Sequence, residues 1–244
     1  MTMAATNKIQ IYDTTLRDGC QSEDVSLTIE DKVEIARRLD DLGIDYIEGG
    51  WPGSNDRDAA FFIEVKKAHL KHSKIAGFGS TRRAGVKASQ DRNLQLLLKA
   101  DTPVATVVGK TWDLHVREAL RIPLEENFDI LSDTISFLKK HVDEVIFDAE
   151  HFFDGYYNNR EYAMNCIRTV GEAGAFSSHP AASASSRSAS MYSMAAKGRQ
   201  SSTDRITIGI RTPNRSMSGS PRPGSGSARG VSTPPAPGRC RPNN

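Results

Sequence analysis

The sequence predicts an α/β protein, namely a partial (β/α)8 barrel of about five βα units followed by a disordered basic tail. In residues 1–175, short β-type segments alternate with longer segments of helical periodicity, which is typical of a parallel sheet. After residue 175 this alternation stops, and serine, arginine, proline and glycine dominate the composition. Because a closed barrel takes about 250 residues of βα repeats, the alternating part predicts an incomplete barrel.

The five predicted units follow one another without interruption. In the first helix, Thr28 and Asp31 have the spacing of a capping box, and Gly43 is typical of a helix end. The predicted strands cover residues 9–13, 46–48, 75–78, 104–108 and 144–147, and the predicted helices cover residues 28–41, 56–70, 93–99, 128–142 and 160–173. A sixth strand is due after Gly174, but the sequence FSSHPAAS that follows does not have a β-type pattern. The outer strands of the predicted sheet are therefore expected to lack partners, which favours aggregation or association.

The charge is divided unevenly between the two parts of the chain. Of 32 basic and 30 acidic residues, ten basic and one acidic fall in residues 176–244, so the net charge of +2 divides into −7 for the body and +9 for the tail. The tail also holds 8 of the 11 prolines and 16 serines, and its main apolar run is residues 206–210. Such a segment buries too little apolar surface to offset its ordering entropy. Two regions are therefore predicted: a folded part at residues 1–175 and a disordered tail at residues 176–244.

Two explanations of the tail remain open. Its composition favours a reading-frame shift just after Ala175, which would give sequence that was never selected to pack. The alternative is a genuine basic tail, which would make the protein a non-catalytic binding module for nucleic acid or an acidic partner. Aromatic residues for base stacking are nearly absent from the tail, so we expect such binding to be weak and salt-sensitive.

Cysteine spacing and hydropathy exclude several classes of protein. The three cysteines, at positions 20, 166 and 240, have no CxxC spacing, so they indicate neither a disulfide framework nor a structural zinc site. The first eight residues lack an apolar signal segment, and no run approaches the roughly 18 apolar residues of a membrane span. A cytoplasmic protein without membrane partners is expected.

Charged residues follow the predicted strands at the points where a parallel α/β scaffold carries its chemistry. Arg17 and Asp18 come after the first strand, Glu48 lies at the end of the second, and Glu150 follows the fifth. Each position also has an ordinary structural explanation. The Arg-Asp pair beside Gly19 fits a capped turn, Glu48 a surface turn, and Glu150 a buried carboxylate with satisfied hydrogen bonds.

Five segments carry a resemblance to a known family. They are DTTLRDGCQ, YIEGGWPGSN, FGSTRR, GKTWDLHV and FDAEHFFDGY, in this order within residues 8–175. Together they resemble the N-terminal part of the citramalate synthases. These enzymes belong with isopropylmalate and homocitrate synthases to a family of metal-dependent TIM-barrel acyltransferases related to hydroxymethylglutaryl-CoA lyases. The resemblance therefore implies a partial TIM (β/α)8 barrel of the pyruvate carboxyltransferase type.

The resemblance implies a Claisen-type condensation of acetyl-CoA with pyruvate, in branched-chain amino-acid biosynthesis. A similar condensation with the 2-oxo acid of an isopropylmalate or homocitrate synthase is the alternative. By the resemblance, Arg17 stabilises the developing oxyanion and binds substrate, Glu150 and Glu48 are the catalytic carboxylates, and Gln21 lines the 2-oxo acid pocket. Asp18 is the implied ligand of a divalent metal, Mg²⁺ or Mn²⁺. Acetyl-CoA and a 2-oxo acid are the implied small-molecule partners, and a homodimer is a further expectation.

The sequence departs from the family at its metal site. The family completes this site with a His-x-His pair on a later strand, and the 244 residues contain no His-x-His sequence. With Asp18 as the single family ligand, metal affinity is expected to be poor. We therefore expect this chain to have little or no catalytic activity by itself.

Overall fold

The computed structural model describes residues 10–22 and 25–175, together with the backbone of two short later strands. The strands are β1 (Gln10–Asp13), β2 (Tyr46–Gly50), β3 (Lys74–Ser80), β4 (Val104–Lys110), β5 (Glu144–Glu150), β6 (Ser177–Pro180) and β7 (Thr207–Gly209). The α-helices are α1 (Ile29–Leu42), α2 (Asp56–Glu64), α3 (Arg92–Lys99), α4 (Asp113–His115), α5 (Leu124–Leu138), α6 (Phe152–Asn158) and α7 (Arg160–Glu172).

All strand pairs are parallel, and the order across the sheet is β6-β5-β4-β3-β2-β1-β7. Strands β1 to β5 are neighbours in chain order, with helices between them, which is the arrangement of a partial (β/α)8 barrel. The predicted fold class is thus confirmed for the described part of the chain. No helix among the described residues is both long and apolar enough to cross a membrane.

The expectation that the outer strands lack partners is wrong. Strand β6 pairs with β5, and strand β7 pairs with β1 through the register Ile11↔Ile208. β7 lies within the apolar run at residues 206–210, whereas β6 has a polar sequence. Backbone N–H and C=O groups form a ladder whatever the side chains, so a polar segment can pair with an exposed edge. The predicted disorder of residues 176–244 otherwise concerns residues outside the described part.

The helix bounds reflect local signals in the sequence. Thr28 caps α1 in a capping box with Asp31, and Gly43 ends it with a left-handed φ of 86°, as the sequence predicts. Two predicted ends are wrong. The second helix ends at Glu64 and continues as a 3₁₀ turn, and α5 ends at Leu138 with Val142 beyond it. The short helices α4 and α6, which follow β4 and β5, were not predicted.

The sheet separates two apolar layers. One residue from each of β1 to β5 forms a buried cluster on the inner face of the barrel: Tyr12, Tyr46, Ala76, Val104 and Ile146. The opposite face packs against the helices, with the ring of Phe147 fully buried among side chains of α5 and α7. Since side chains alternate along a strand, Glu48, Thr106 and Glu150 share the inner face with the first cluster.

Asp40 fixes the segment that leads into β3. Its carboxylate accepts hydrogen bonds from the backbone N–H groups of residues 71–73, at 2.6 to 2.8 Å. Burial opposes ionisation of this carboxyl group, but these hydrogen bonds outweigh it and lower the pKa of Asp40 below its ordinary value.

We expect Asp40→Ala to lower the free energy of unfolding by about 1–3 kcal/mol at neutral pH, because three donors lose a charged acceptor. A carboxyl group with a lowered pKa stabilises the fold above its unfolded-state pKa of about 4 and loses this contribution as the pH falls through the folded-state value. Urea unfolding between pH 7 and pH 3 tests both points. The exposed neighbour Asp41→Ala is the control, and an equal loss in both variants would refute the assignment.

Candidate functional site

A tight turn after β1 presents the Arg-Asp pair at the carboxyl end of the sheet. The carbonyl oxygen of Thr14 accepts hydrogen bonds from the backbone N–H groups of residues 17–19, at 2.8 to 3.2 Å. The carboxylate of Asp13 accepts from the backbone N–H and the hydroxyl group of Thr15, at 2.9 and 3.0 Å. The turn is therefore built as the ordinary structural explanation expects, and it also fixes the start of the Arg17 side chain.

Arg17 reaches from this turn to the inner face of the sheet. Its Nε donates a short hydrogen bond to Oε1 of Glu48, and its Nη1 lies 3.2 Å from Oδ1 of Asp18. The guanidinium group stacks on the ring of Phe78 at 4.0 Å from the centroid, and Asp148 on β5 adds a further electrostatic interaction. The guanidinium group is thus surrounded by groups from β2, β3, β5 and the turn after β1.

Glu48 lies at the centre of this cluster, with 1% of the residue exposed. Its burial rules out the surface-turn explanation of this residue. Oε1 accepts from Arg17, and Oε2 accepts from the hydroxyl group of Tyr12 at 2.5 Å. The same Tyr12 oxygen lies 2.6 Å from Oγ1 of Thr106 on β4. Side chains of β1, β2 and β4 are therefore joined in one buried hydrogen-bond network.

The charges of this cluster shift one another's pKa values. Burial raises the pKa of Glu48 although Arg17 and Tyr12 act in the opposite direction. Burial and the charge of Glu48 raise the pKa of Tyr12 well above its ordinary value, which keeps the phenol protonated. Burial would lower the pKa of Arg17, but the charge and hydrogen bond of Glu48 raise it. The guanidinium group is therefore a permanent cation at the carboxyl end of the sheet.

Glu150 occupies a second place at the same end of the sheet. It pairs in register with Lys110 across β4 and β5, and the Lys110 ammonium group forms a short ion pair with its carboxylate. The backbone carbonyl of Glu150 accepts from the hydroxyl group of Thr111 at 2.8 Å. About a third of the Glu150 side chain, 32%, is exposed, so its carboxylate has a partner and is also accessible. The explanation of Glu150 as a fully buried carboxylate does not hold.

We call Arg17, Glu48, Tyr12 and Thr106 the Arg17 cluster. Beside it lies a cavity of about 390 Å³, within the roughly 300–1,000 Å³ of small-molecule sites. The loops that follow β1 and β2 form most of its wall, with Arg17 and Gln21 from the first loop and Trp51 from the second. Arg57 adds positive charge to the lining, whereas Lys32 is paired with Asp58, a further lining residue, at 3.0 Å. Gln21 and Arg17 thus face one cavity, whereas Glu150 is not among its lining residues. A small anion with a flat carboxyl group suits such a wall.

The described residues do not fit a metal site. Among residues 10–22 and 25–175, no group of three or more histidine, cysteine, aspartate or glutamate side chains is arranged to hold a metal ion. Asp18, the predicted ligand, already lies 3.2 Å from the Arg17 guanidinium group. Divalent cations such as Mg²⁺ need several oxygen ligands in near-ideal geometry. The carboxylate of Asp18 alone does not provide that.

Sequence reasoning missed two members of the Arg17 cluster, Tyr12 and Thr106. Both lie in predicted strands, where alternation predicts only that a side chain faces the core. The available signal was a polar side chain at an inward-facing position, since buried hydroxyl groups require a partner. Because β1 and β2 are paired, Tyr12 lies on the strand next to the one that carries Glu48.

Comparison with known proteins gives consistent results. The family model described as HMGL-like matches residues 8–186. The (R)-citramalate synthase of Geobacter sulfurreducens is 55% identical over 165 residues, which is 68% of this chain and 31% of that protein. The (R)-citramalate synthase of Aquifex aeolicus is 55% identical over 168 residues, which is 69% of this chain and 32% of that protein. The chain therefore spans about a third of the length of these curated relatives.

Solved structures support the fold. The HMG-CoA lyase of Bacillus subtilis superimposes with a TM-score of 0.53 and 22% identity, covering 70% of this chain and 57% of that protein. At this identity the match shows the fold alone. The family model and the sequence relatives confirm the family resemblance predicted from the five segments.

Proposed function

Since the chain belongs to the HMGL-like family, we propose that it carries the N-terminal part of an (R)-citramalate synthase-type active site. In this reaction, the methyl carbon of acetyl-CoA attacks the keto carbon of pyruvate, and thioester hydrolysis releases coenzyme A. The observation that carries the proposal is the position of Arg17. This permanent cation is fixed by Glu48 and Phe78 and lines a cavity of small-molecule size.

We assign the binding of pyruvate to Arg17 and Gln21. A guanidinium group offers several N–H donors in a planar fork, which matches a carboxylate and a neighbouring keto oxygen. When carbon attacks the keto carbon, negative charge develops on that oxygen, and a cation held in place stabilises it without reorganisation. Gln21 supplies amide donors and an acceptor from the same loop. Arg17 is thus both the binding group and the oxyanion stabiliser.

We assign proton transfer to Glu150. Its side chain is accessible, and Lys110 holds the carboxylate at the carboxyl end of β5. Attack by the methyl carbon requires a base to remove a proton, and an accessible carboxylate at the carboxyl end of the sheet can serve as that base. Glu48 has a different role in this proposal, because both of its oxygens accept hydrogen bonds from protein groups. It positions Arg17.

The family reaction depends on a divalent metal, and the described residues do not form a site for one. We propose Asp18 as a ligand because of its place in the Arg-Asp motif. The sequence contains no His-x-His pair to complete the coordination. We therefore expect the 244-residue chain to bind substrate but to turn it over poorly by itself.

A thiol-release assay tests the proposed function. The purified chain is mixed with acetyl-CoA, pyruvate and Mg²⁺ or Mn²⁺, and release of coenzyme A is compared with that of Asp18→Ala. We expect release near background in both. Sustained release at ordinary enzyme rates, about 1–10³ s⁻¹, that is abolished by Asp18→Ala would show that the chain forms a working metal site and would contradict the expected low turnover.

A further inference from the structure

We infer that Tyr12, supported by Thr106, is a positioning residue that locks Glu48 and thereby fixes the guanidinium group of Arg17, a residue that lines the cavity. This inference follows from which group donates and which accepts in each hydrogen bond. The hydroxyl hydrogen of Tyr12 points to Oε2 of Glu48, at 2.5 Å. A phenol has one hydrogen, so the contact of 2.6 Å between Tyr12 and Thr106 requires the Thr106 hydroxyl group to donate.

The hydrogen bonds therefore converge on Glu48, with a two-step chain of one direction on one side and Arg17 on the other. Thr106 donates to Tyr12, Tyr12 donates to Glu48, and Arg17 donates to the other oxygen of Glu48. Successive hydrogen bonds of one direction strengthen one another, and they do so most in a dry site. Tyr12 and Thr106 are 2% and 1% exposed, so water does not compete for these groups.

This geometry restricts the Arg17 side chain on two sides. Its Nε is used by Glu48, and its flat face is covered by Phe78. Without Tyr12, the Glu48 carboxylate could rotate about its terminal bond, and the short bond to Nε would lose its fixed partner. The inference rests on the proposed function for its consequence, namely pyruvate binding. The lock, by which we mean the hydrogen bonds that join Thr106, Tyr12, Glu48 and Arg17, is a property of the folded chain.

The test is the Nε–H signal of Arg17 in the NMR spectrum of the ¹⁵N-labelled 244-residue chain, assigned by its loss in Arg17→Lys. In the wild type, the hydrogen bond to Glu48 slows exchange of this proton with water. We expect Tyr12→Phe to accelerate the exchange about tenfold or more, because a charge-assisted hydrogen bond is lost. Thr106→Val is expected to accelerate it by a smaller factor.

Tyr46→Phe is the matched control. Tyr46 is equally buried and stacks on Tyr12 with ring centroids 5.9 Å apart, but its hydroxyl group donates to Glu144. It therefore removes the same group from the same layer without touching Glu48. Unchanged exchange in Tyr12→Phe, or an equal acceleration in Tyr46→Phe, would overturn the inference. Should Tyr12→Phe fail to fold, Thr106→Val decides in the same way.

A second readout separates the lock from the proposed function. Pyruvate is titrated into the wild type, Tyr12→Phe and Tyr46→Phe, and the affinities are compared. We expect Tyr12→Phe alone to weaken binding severalfold. If the wild type does not bind pyruvate while the exchange rates behave as expected, the lock stands and the proposed substrate is wrong. If pyruvate binds equally to all three while exchange is accelerated in Tyr12→Phe, the lock does not serve the site, and the inference is refuted.

Discussion

Replacing Glu48 with alanine is expected to lower the free energy of unfolding by about 3 kcal/mol, because it removes the most buried partner of the Arg17 charge and leaves Asp18 as the remaining ion-pair partner. The two groups that lose their acceptor in Glu48→Ala are the Arg17 guanidinium group and the Tyr12 hydroxyl group. Only 14% of the Arg17 side chain is exposed, so water can replace little of what is lost.

Urea unfolding at neutral pH measures the effect, and Glu34→Ala provides the control. Glu34 also pairs with an arginine, Arg38, but 52% of its side chain is exposed. An exposed pair of this kind contributes about 0–1 kcal/mol. Similar losses in Glu48→Ala and Glu34→Ala would contradict the view that Glu48 is the anchor of the cluster.

The pH dependence of the same residue has a definite sign. Burial raises the pKa of Glu48 in the folded state, so the folded chain binds this proton more tightly than the unfolded chain. The contribution of Glu48 to stability therefore falls as the pH rises from the ordinary value of 4.5 to the higher folded-state value. Glu48→Gln should remove this part of the pH dependence. A Glu48 contribution that increases over this range would show that Arg17 outweighs burial.

Phe147→Ala is expected to cost about 3–5 kcal/mol, because the ring fills the layer between β5 and the helices and leaves a cavity when removed. The ring is fully buried, and it lies over Gly109 on β4, two residues beyond its register partner Val107, where the missing side chain leaves room for it. A Cβ added at Gly109 would lie 2.6 Å from the Phe147 ring. Thermal unfolding measures the loss, with the exposed Tyr157→Ala as control.

Coupling between the two positions tests the packing itself. Gly109→Ala should destabilise the chain by overpacking, and Phe147→Leu should reduce that cost when combined with it. Purely additive losses in the double variant would contradict a direct contact. The matter is relevant to the site because Phe147 anchors the strand that ends at Glu150.

The sequence predicts the scaffold because its local signals agree. The Thr28 capping box, the stop at Gly43 and the alternating segments all specify the same βα units. The short helices α4 and α6 could not be predicted, because helices of three to seven residues have too few turns to show a helical period in the sequence. Strand β6 was not predicted for a different reason: its pairing with β5 uses backbone groups, which leave little trace in the side-chain pattern. Strand β7 lies within the apolar run at residues 206–210, but a run of five residues does not show which strand it pairs with.

The sequence shows which charged residues belong to the candidate site, but it does not show the role of each one. Arg17 and Glu150 are recognisable from their places after strands, and the structure puts both at the carboxyl end of the sheet. The sequence could not show that Glu48 accepts two hydrogen bonds in the interior, because this depends on residues more than thirty positions away. Long-range register, which brings Tyr12 and Thr106 to Glu48, is set only when the sheet forms.

The central claim is that Arg17 is the binding group for a 2-oxo acid. Saturation-transfer NMR with pyruvate, on the wild type, Arg17→Met and the exposed control Arg37→Met, tests it most directly. The account predicts that the wild type and Arg37→Met bind pyruvate with the same affinity and that Arg17→Met binds it about 10–100-fold more weakly, the equivalent of one or two charge-assisted hydrogen bonds. Equal affinity in Arg17→Met and the wild type would contradict the assignment of the site.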